Sequence, residues 1–232
     1  MLTWTGRTAD WYCEAMRRGE LFSIARYGDG EIRWMLGEDL VNCDGHRTFP
    51  AMAAALRETF LAATWECAIP DLDAAAASGH KKKQEWGAGF RDWLDANNVT
   101  RSFDRVNLWV RSLPDGLPIL AAAHGRRTVL VGPEHLRPMG MEQVIVPASD
   151  AYLELPRVVE ELEAKRLAGS VVFMCCGPAA NLLIADLAGL RAANWLIDLG
   201  CVLDPLCGRR SRPLFSRPQF LAKIAPFQRV RE

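Results

Sequence analysis

Tyr27-Gly28-Asp29-Gly30-Glu31 sets two carboxylates one residue apart, with a glycine between them and another in front. Acids at that spacing can aim oxygen ligands at one hard cation, which keeps waters and phosphate oxygens in its other positions. Gly28 and Gly30 permit unusual backbone angles and a close approach of a ligand to the main chain. The same residues also have a plainer use. An apolar helical pattern follows at once, so Asp29 and Glu31 can equally be the cap and first-turn acids of a helix Glu31–Leu36. The residues alone leave both readings open.

A second candidate is Cys175-Cys176-Gly177-Pro178-Ala179-Ala180-Asn181. Pro178 presets a first helical turn and lacks an N–H, while the amides of Ala179, Ala180 and Asn181 are left unpaired. With the positive end of the helix dipole, those amides make an anion site suited to phosphate. Gly132-Pro133-Glu134 repeats the construction, although Gly-Pro can also do no more than start a helix. Other chemistries are poorly represented. The seven cysteines (Cys13, Cys43, Cys67, Cys175, Cys176, Cys201, Cys207) form no CxxC pair and are odd in number, against a zinc site or a disulfide framework. Cys175 and Cys176, inside Val-Val-Phe-Met-Cys-Cys, read as small core hydrophobes. No Gly-X-Ser-X-Gly elbow, phosphate-binding Walker loop, GxGxxG or HExxH is present, which argues against a hydrolase, an NTPase, a dinucleotide oxidoreductase and a zincin.

These residues need elements to hold them. Strand and helix patterns alternate along most of the chain. "LFSIARY", "ECAIPD", "RTVLVG", "EQVIVPA", "SVVFMCC" and "NWLIDLG" read as strands. Between them "FPAMAAALRETFLAAT", "QEWGAGFRDWLDANN", the stretch after Gly132-Pro133, "AYLELPRVVEELEAKRLAG" and "AANLLIADLAG" read as helices, with Pro156 marking a break or a first turn. Runs such as Thr128–Gly132 are apolar without alternation, as strands covered on both faces should be. The expected fold is α/β: a single doubly wound, mainly parallel, Rossmann-like sheet. Right-handed crossovers would bring every strand-to-helix turn to one edge, where ligands bind.

The 232 residues, half of them hydrophobic, suffice for one domain with a sizeable core. No apolar run nears the roughly 18 residues of a membrane span, and the first twenty residues lack a signal-peptide core. A soluble, cytoplasmic protein is expected. Its charge is neutral overall but uneven. Seven basic residues (Arg209, Arg210, Arg212, Arg217, Lys223, Arg229, Arg231) face one acid, Glu232, after Gly208, a local net charge of +6. Phe215, Phe220 and Phe227 interleave with them. The expected division is a domain over 1–207 and a basic tail over 208–232. The tail is either a segment whose aromatics pack on the core or a surface for a polyanion. Asn107-Leu108-Trp109 can stack a base or sugar, and Gly79–Trp86 is a solvated loop or a lid.

"FSIARYGDGE" resembles the opening strand and Asp-X-Glu motif of the GT-D fold glycosyltransferases, a Rossmann-like class. "VTRSF" (Val99 to Phe103) resembles that family's Ser/Thr-Arg-aromatic segment. "TVLVGPEHLR", "CCGPAANLLIADLAG" and "NWLIDLG" follow in the family's order, so the resemblance spans about residues 20 to 205. It implies a metal-assisted transfer of a sugar from a nucleotide-sugar donor, UDP-linked, to a glycan or protein acceptor. Asp29 and Glu31 would be ligands of Mn²⁺ or Mg²⁺. Arg26, Gly28, Arg101, Gly177, Pro178, Ala179 and Asn181 would form the donor site, although either arginine can also be structural. One departure is clear. The family closes on Asp-Ile-Gly-His and an acidic stretch, whereas here Cys201 stands in the histidine position and acidity returns only at Asp204. If the reaction inverts the anomeric centre, a carboxylate must take the acceptor's proton. Asp204 is the expected base, with Asp198 its neighbour or substitute; Asp198 also suits a buried structural role. Two alternatives remain: DNA as acceptor, which the basic tail would suit, or a nucleotide-binding module without turnover. The sequence leaves the oligomeric state open.

Overall fold

Strands built from consecutive apolar residues must be covered on both faces, and the chain arranges its helices to do this. The computed structural model describes residues 2–41 and 45–228; Cys43, Arg229, Arg231 and Glu232 lie outside them. The strands are β1 (Thr3–Trp4), β2 (Ser23–Arg26), β3 (Glu66–Ile69), β4 (Ser102–Arg105), β5 (Thr128–Gly132), β6 (Glu142–Ile145), β7 (Val171–Met174) and β8 (Trp195–Asp198). Among the described residues they form one parallel sheet in the order β1-β4-β3-β2-β8-β7-β5-β6. The expected doubly wound α/β sheet is what forms.

Neighbouring residues of each strand enter opposite layers. Val129 and Val131 pack with Phe60 and Phe90 on one face, while Leu130 joins Tyr12 and Trp109 on the other. This two-faced burial is why the second-half strands carry no polar alternation. The order of strands places a topological switch in the middle. From β2 the chain builds outward through β3 and β4, then crosses over and returns through β7 to β8 on the other flank of β2. The crevice at the carboxyl ends of β2 and β8 is therefore the position that such sheets use for ligands.

Several elements differ from the sequence reading. β1 and β4, and the helix Ala9–Arg17, were not foreseen. Two residues are too few to show a period, and Ser102-Phe103-Asp104-Arg105 breaks the apolar pattern with Asp104, which is buried and accepts from the Thr5 and Tyr12 hydroxyls. The helix expected after Gly132 is instead a 3₁₀ stretch, Glu134–Met139, with Pro138 inside it. Proline removes the N–H that an α-helix needs there. Pro156 falls in the first turn of the helix Leu155–Ala164, where its missing N–H costs nothing.

The segment after residue 207 packs its aromatics on the core. Phe215, Phe220 and Ile224 are buried with Leu203, Leu206 and Trp109, and the Phe215 and Phe220 rings stack at 5.3 Å. Each such side chain contributes about 1.5–3 kcal/mol when buried. Of the two roles weighed for this segment, packing on the core is the one the structure displays. Among the described residues, no helix is long and apolar enough to cross a membrane.

Candidate active site at the central switch

A cleft of about 330 Å³ opens where β2 and β8 end, and Asp29, Glu31, Asp198 and Asp204 all line it. Asp29 and Glu31 lie in the first turn of the helix Asp29–Met35, which Gly28 precedes in extended conformation without a side-chain cap. Gly28 has a steric purpose. A Cβ there would lie 2.9 Å from Glu31 Oε2, so glycine leaves room for the carboxyl to fold back over the turn. Glu31 is pushed up to about pKa 7, first by burial and further by Asp198 and Asp29; its own backbone N–H and Arg212 oppose the shift. An acid placed only to complement a helix dipole would favour its charged form. Glu31 pays for its position instead, in a field that a cation would relieve.

Asp198 ends β8 and is 3% exposed. Its Oδ2 accepts the Arg26 backbone N–H at 2.9 Å and its Oδ1 accepts the Gly200 N–H at 2.8 Å. Burial raises its pKa to about 6, against the opposing charge of Arg26 and those two hydrogen bonds. Both carboxylate oxygens are thus occupied in tying β2 to the turn after β8. Arg26 completes the junction, donating Nε to the Val106 carbonyl and Nη1 to the Leu199 carbonyl, each at 2.8 Å. Trp109 is fully buried and donates Nε1 to the Asp198 carbonyl at 3.0 Å, so it braces the cleft floor and is not a stacking platform.

The far wall contains a chain of three side chains. Asp204 opens the 3₁₀ turn Asp204–Cys207 and is 6% exposed. Its Oδ1 lies 2.8 Å from His135 Nε2, and His135 Nδ1 lies 2.9 Å from Arg209 Nη1. A guanidinium can only donate, so Nδ1 accepts and the proton sits on Nε2, which donates to Asp204. The imidazole is therefore a neutral bridge that fixes both the carboxylate and the guanidinium. Beside it, Arg212 donates Nε to Cys201 Sγ at 3.3 Å. Cys201, standing where the family has histidine, thus helps orient an arginine.

The Gly177 turn reaches the cleft only in part. Gly177 lines it, but Pro178, Ala179 and Asn181 do not. The Ala180 N–H, expected to be available, is taken by the Gly177 carbonyl at 3.0 Å. Asn181 is fully buried in the helix Ala179–Asp186, and neither of its amide atoms has a hydrogen-bond partner among the described residues. Gly177 itself has φ +60, and a Cβ there would collide with the ring of His46, whose Nδ1 accepts the Asp150 N–H at 3.0 Å. Gly177→Ala should lose about 1–2 kcal/mol from the left-handed conformation alone, before any displacement of His46. Urea unfolding measures this, and an unchanged midpoint would mean that the turn relaxes to another conformation.

Arg101 requires a correction. It precedes β4, so it lies at the amino edge of the parallel sheet, opposite the cleft. Its guanidinium donates to the carbonyls of Phe60 and Ala63 and lies 4.5 Å from the centre of the Phe60 ring. It closes the end of the helix Pro50–Ala62 and cannot reach a donor in the cleft. The Gly79–Trp86 stretch is likewise absent from the cleft; from Lys81 it forms the start of the helix Lys81–Ala96. His46, His135, Arg209 and Arg212 line the cleft without having been picked out as site residues. The only local hint for His135 was its place two residues after Pro133, on the edge to which all the turns lead.

What the sheet and cleft define is an α/β domain with its ligand site at a switch point. No protein-family model and no curated protein matches the sequence. Solved structures do share the fold. A selenomethionine-substituted domain of unknown function 1792 (DUF1792) superposes with a TM-score of 0.62 at 16% identity, over 88% of this chain and 79% of that one. A glycosyltransferase (DUF1792) from Streptococcus sanguinis gives 0.59 at 17% identity, over 88% and 83%. A third, described as DUF1792 with a distinct glycosyltransferase fold, gives 0.60 at 17%, over 88% and 79%. At such identities the likeness is one of fold: this chain has the DUF1792 glycosyltransferase fold.

Proposed function

We propose that the protein is a metal-dependent glycosyltransferase that moves a sugar from a nucleotide-sugar donor, UDP-linked, to a glycan or protein acceptor. The observation that carries the reading is the Asp29–Glu31 pair at the mouth of the β2–β8 switch, on a glycosyltransferase fold. The pair suits Mn²⁺ or Mg²⁺: both donors are hard oxygens, and Glu31 is half-buried beside the further negative charge of Asp198. Among the described residues, no group of three or more His, Cys, Asp or Glu could hold a metal. Two carboxylates would leave the remaining positions to water and the donor's phosphates. When bound, the ion supplies the positive charge that stabilises a departing diphosphate.

The chain's own residues do the rest. Asp198 and Arg26 hold the strand ends at fixed separation, which keeps the helix Asp29–Met35 aimed at the cleft. Asp204, held by His135, stands ready to take the acceptor's hydroxyl proton in an inverting transfer. A DNA acceptor is the second reading, which the exposed Arg209, Arg210, Arg217 and Lys223 of the C-terminal segment would suit.

A thermal-shift panel of nucleotide sugars, with and without Mn²⁺, tests the reading. A ligand of the folded state stabilises it by about 2.7 kcal/mol at 100-fold excess over Kd. A UDP-sugar should shift the melting temperature only with the metal. The absence of any nucleotide-sugar shift with Mn²⁺ present would overturn the assignment.

A further inference from the structure

A second cavity, of about 370 Å³, opens on the flank of the sheet where β1 and β4 end. One wall is the turn that follows β1, from Thr5 to Asp10; the other is the stretch that follows β4, from Arg105 to Asp115. All these strands run parallel, so the cavity and the central cleft share the carboxyl edge of the sheet. From the β1–β4 pair to the β2–β8 pair is three strand spacings, about 14 Å. One contact joins the two. Arg26, in the cleft, donates Nε to the carbonyl of Val106, which lies between Arg105 and Asn107 of the cavity wall.

The turn after β1 is held firmly. Asp104 is buried, its Oδ1 accepts the Thr5 hydroxyl at 2.5 Å, and its Oδ2 accepts the Tyr12 hydroxyl at 2.6 Å. The Thr5 oxygen in turn accepts the Arg7 N–H at 3.1 Å. Other polar groups of the cavity have nothing to bind. Asn107 stands at the N-cap of the helix Leu108–Ser112 and makes no capping bond, although capping is the usual work of asparagine there. Asp10, Arg111 and Asp115 are exposed and, like Asn107, have no side-chain hydrogen bond or ion pair among the described residues.

The charges select the class of ligand. Three arginines (Arg7, Arg105, Arg111) and three aspartates (Asp10, Asp104, Asp115) line the cavity, so the lining carries no net charge. Arg7 and Arg105 are moreover paired with Glu66 and Asp71. A phosphate or nucleotide finds no surplus of positive charge here. Nor does a metal find ligands: no group of three or more His, Cys, Asp or Glu among the described residues could hold one. What is left is a pair of accepting carboxylates, a donating guanidinium and an amide that does both, beside the apolar surface of Trp4, Leu108 and Pro118. A neutral sugar is the complement of that set. Its hydroxyls donate and accept, and its C–H faces are apolar.

We infer that this cavity binds a neutral oligosaccharide through Asp10, Asn107, Arg111 and Asp115. Its role as the acceptor site rests on the glycosyltransferase reading above. A short glycan seated here and extended along the carboxyl edge brings its terminal hydroxyl to the cleft.

The test puts the fluorescently labelled full chain on a printed array of neutral and acidic oligosaccharides, then measures the bound ones by calorimetry beside UDP with Mn²⁺. The parent should bind neutral members. Asn107→Ala with Arg111→Ala should weaken them by about 10-fold or more, the usual effect of losing a hydrogen bond to a charged group, and leave UDP within about 2-fold. Should that pair fail to fold, Asp10→Asn with Asp115→Asn keeps the shape, removes both charged acceptors and should weaken the same oligosaccharides by about 10-fold. Asp29→Asn with Glu31→Gln should do the reverse, losing UDP and keeping the oligosaccharide. A parent that binds no neutral oligosaccharide, or only acidic ones, would overturn the site. So would cavity variants that bind as the parent does, or that lose UDP and oligosaccharide alike. Oligosaccharide bound by the parent and lost in the cavity variants, with no UDP binding at all, would keep the site and discard the nucleotide-sugar reading.

Discussion

Asp29→Asn with Glu31→Gln should abolish metal-dependent UDP binding and yet leave a protein more stable than its parent above pH 7. The two halves follow from one fact, that Glu31 is half-buried and desolvated beside like charges. Its carboxyl titrates near 7 in the folded chain, against an ordinary value of 4.5. A raised acid pKa means that the native state binds more protons than the unfolded one, so stability falls as pH rises from 4.5 to 7. The loss amounts to about 3 kcal/mol when complete. Glutamine keeps the shape and never ionises, so the variant escapes this decline. Asp198, raised to about 6, adds a decline of the same sign over pH 4–6, which the variant retains. Urea denaturation of both proteins at pH 4.5 and pH 8, without divalent metal, reads the difference directly. Equal stability at pH 8 would remove the charge-burial argument. Lower stability in the variant would return the pair to the role of helix caps. Unchanged affinity for UDP and Mn²⁺ would sink the metal assignment outright.

Asp204→Asn should lower kcat by 10²- to 10⁴-fold, the usual contribution of a positioned general base. Donor binding should stay within about 3-fold, because an anionic diphosphate is not held by a carboxylate. The asparagine can still accept the His135 N–H through its carbonyl oxygen, so the bridge to Arg209 should survive. That separates loss of proton acceptance from loss of architecture. His135→Asn is the companion variant: it removes the bridge and should lower both turnover and folding stability, since Asp204 and Arg209 lose their common anchor. Initial rates with a UDP-sugar, set beside urea-unfolding midpoints, distinguish the two patterns. A full kcat for Asp204→Asn would exclude it as base and favour an outcome that retains configuration.

The legible parts of this molecule are those where one residue type repeats a physical demand locally. β5 and β7 announce themselves because both faces are buried, whereas the Asp29–Glu31 pair stands out beside its glycines yet suits a metal site and a helix start equally. Arg101 was misplaced for a related reason. Ser102–Arg105 does not look like a strand, so nothing in the sequence shows that the residue before it lies at the wrong end of the sheet. His135, Arg209 and Arg212 come from separate stretches and meet only through tertiary packing, so no spacing along the chain could pair them. Cys201 was noticed as a departure from a family pattern, but its contact with Arg212 depends on a turn that the pattern does not encode.

The seam between β2 and β8 should be the last part of the sheet to form. Arg26 and Asp198 are bonded across 172 residues of chain. The blocks β2–β3–β4 and β5–β6–β7 need no such span, and long loops are entropically expensive to close. Each block can gather on its own, while the middle of the sheet must wait until β8 slides between β7 and β2. The working cleft is made by that last insertion, so half-folded chains have nothing with which to capture a cofactor or a substrate. Pulse-labelled hydrogen exchange during refolding should find the Arg26 amide protected later than the amides of β5 and β7, and earlier protection of Arg26 would contradict the order. On this account, folding and assembly of the cleft are one event: a chain that lacks the β8 insertion lacks the crevice as well.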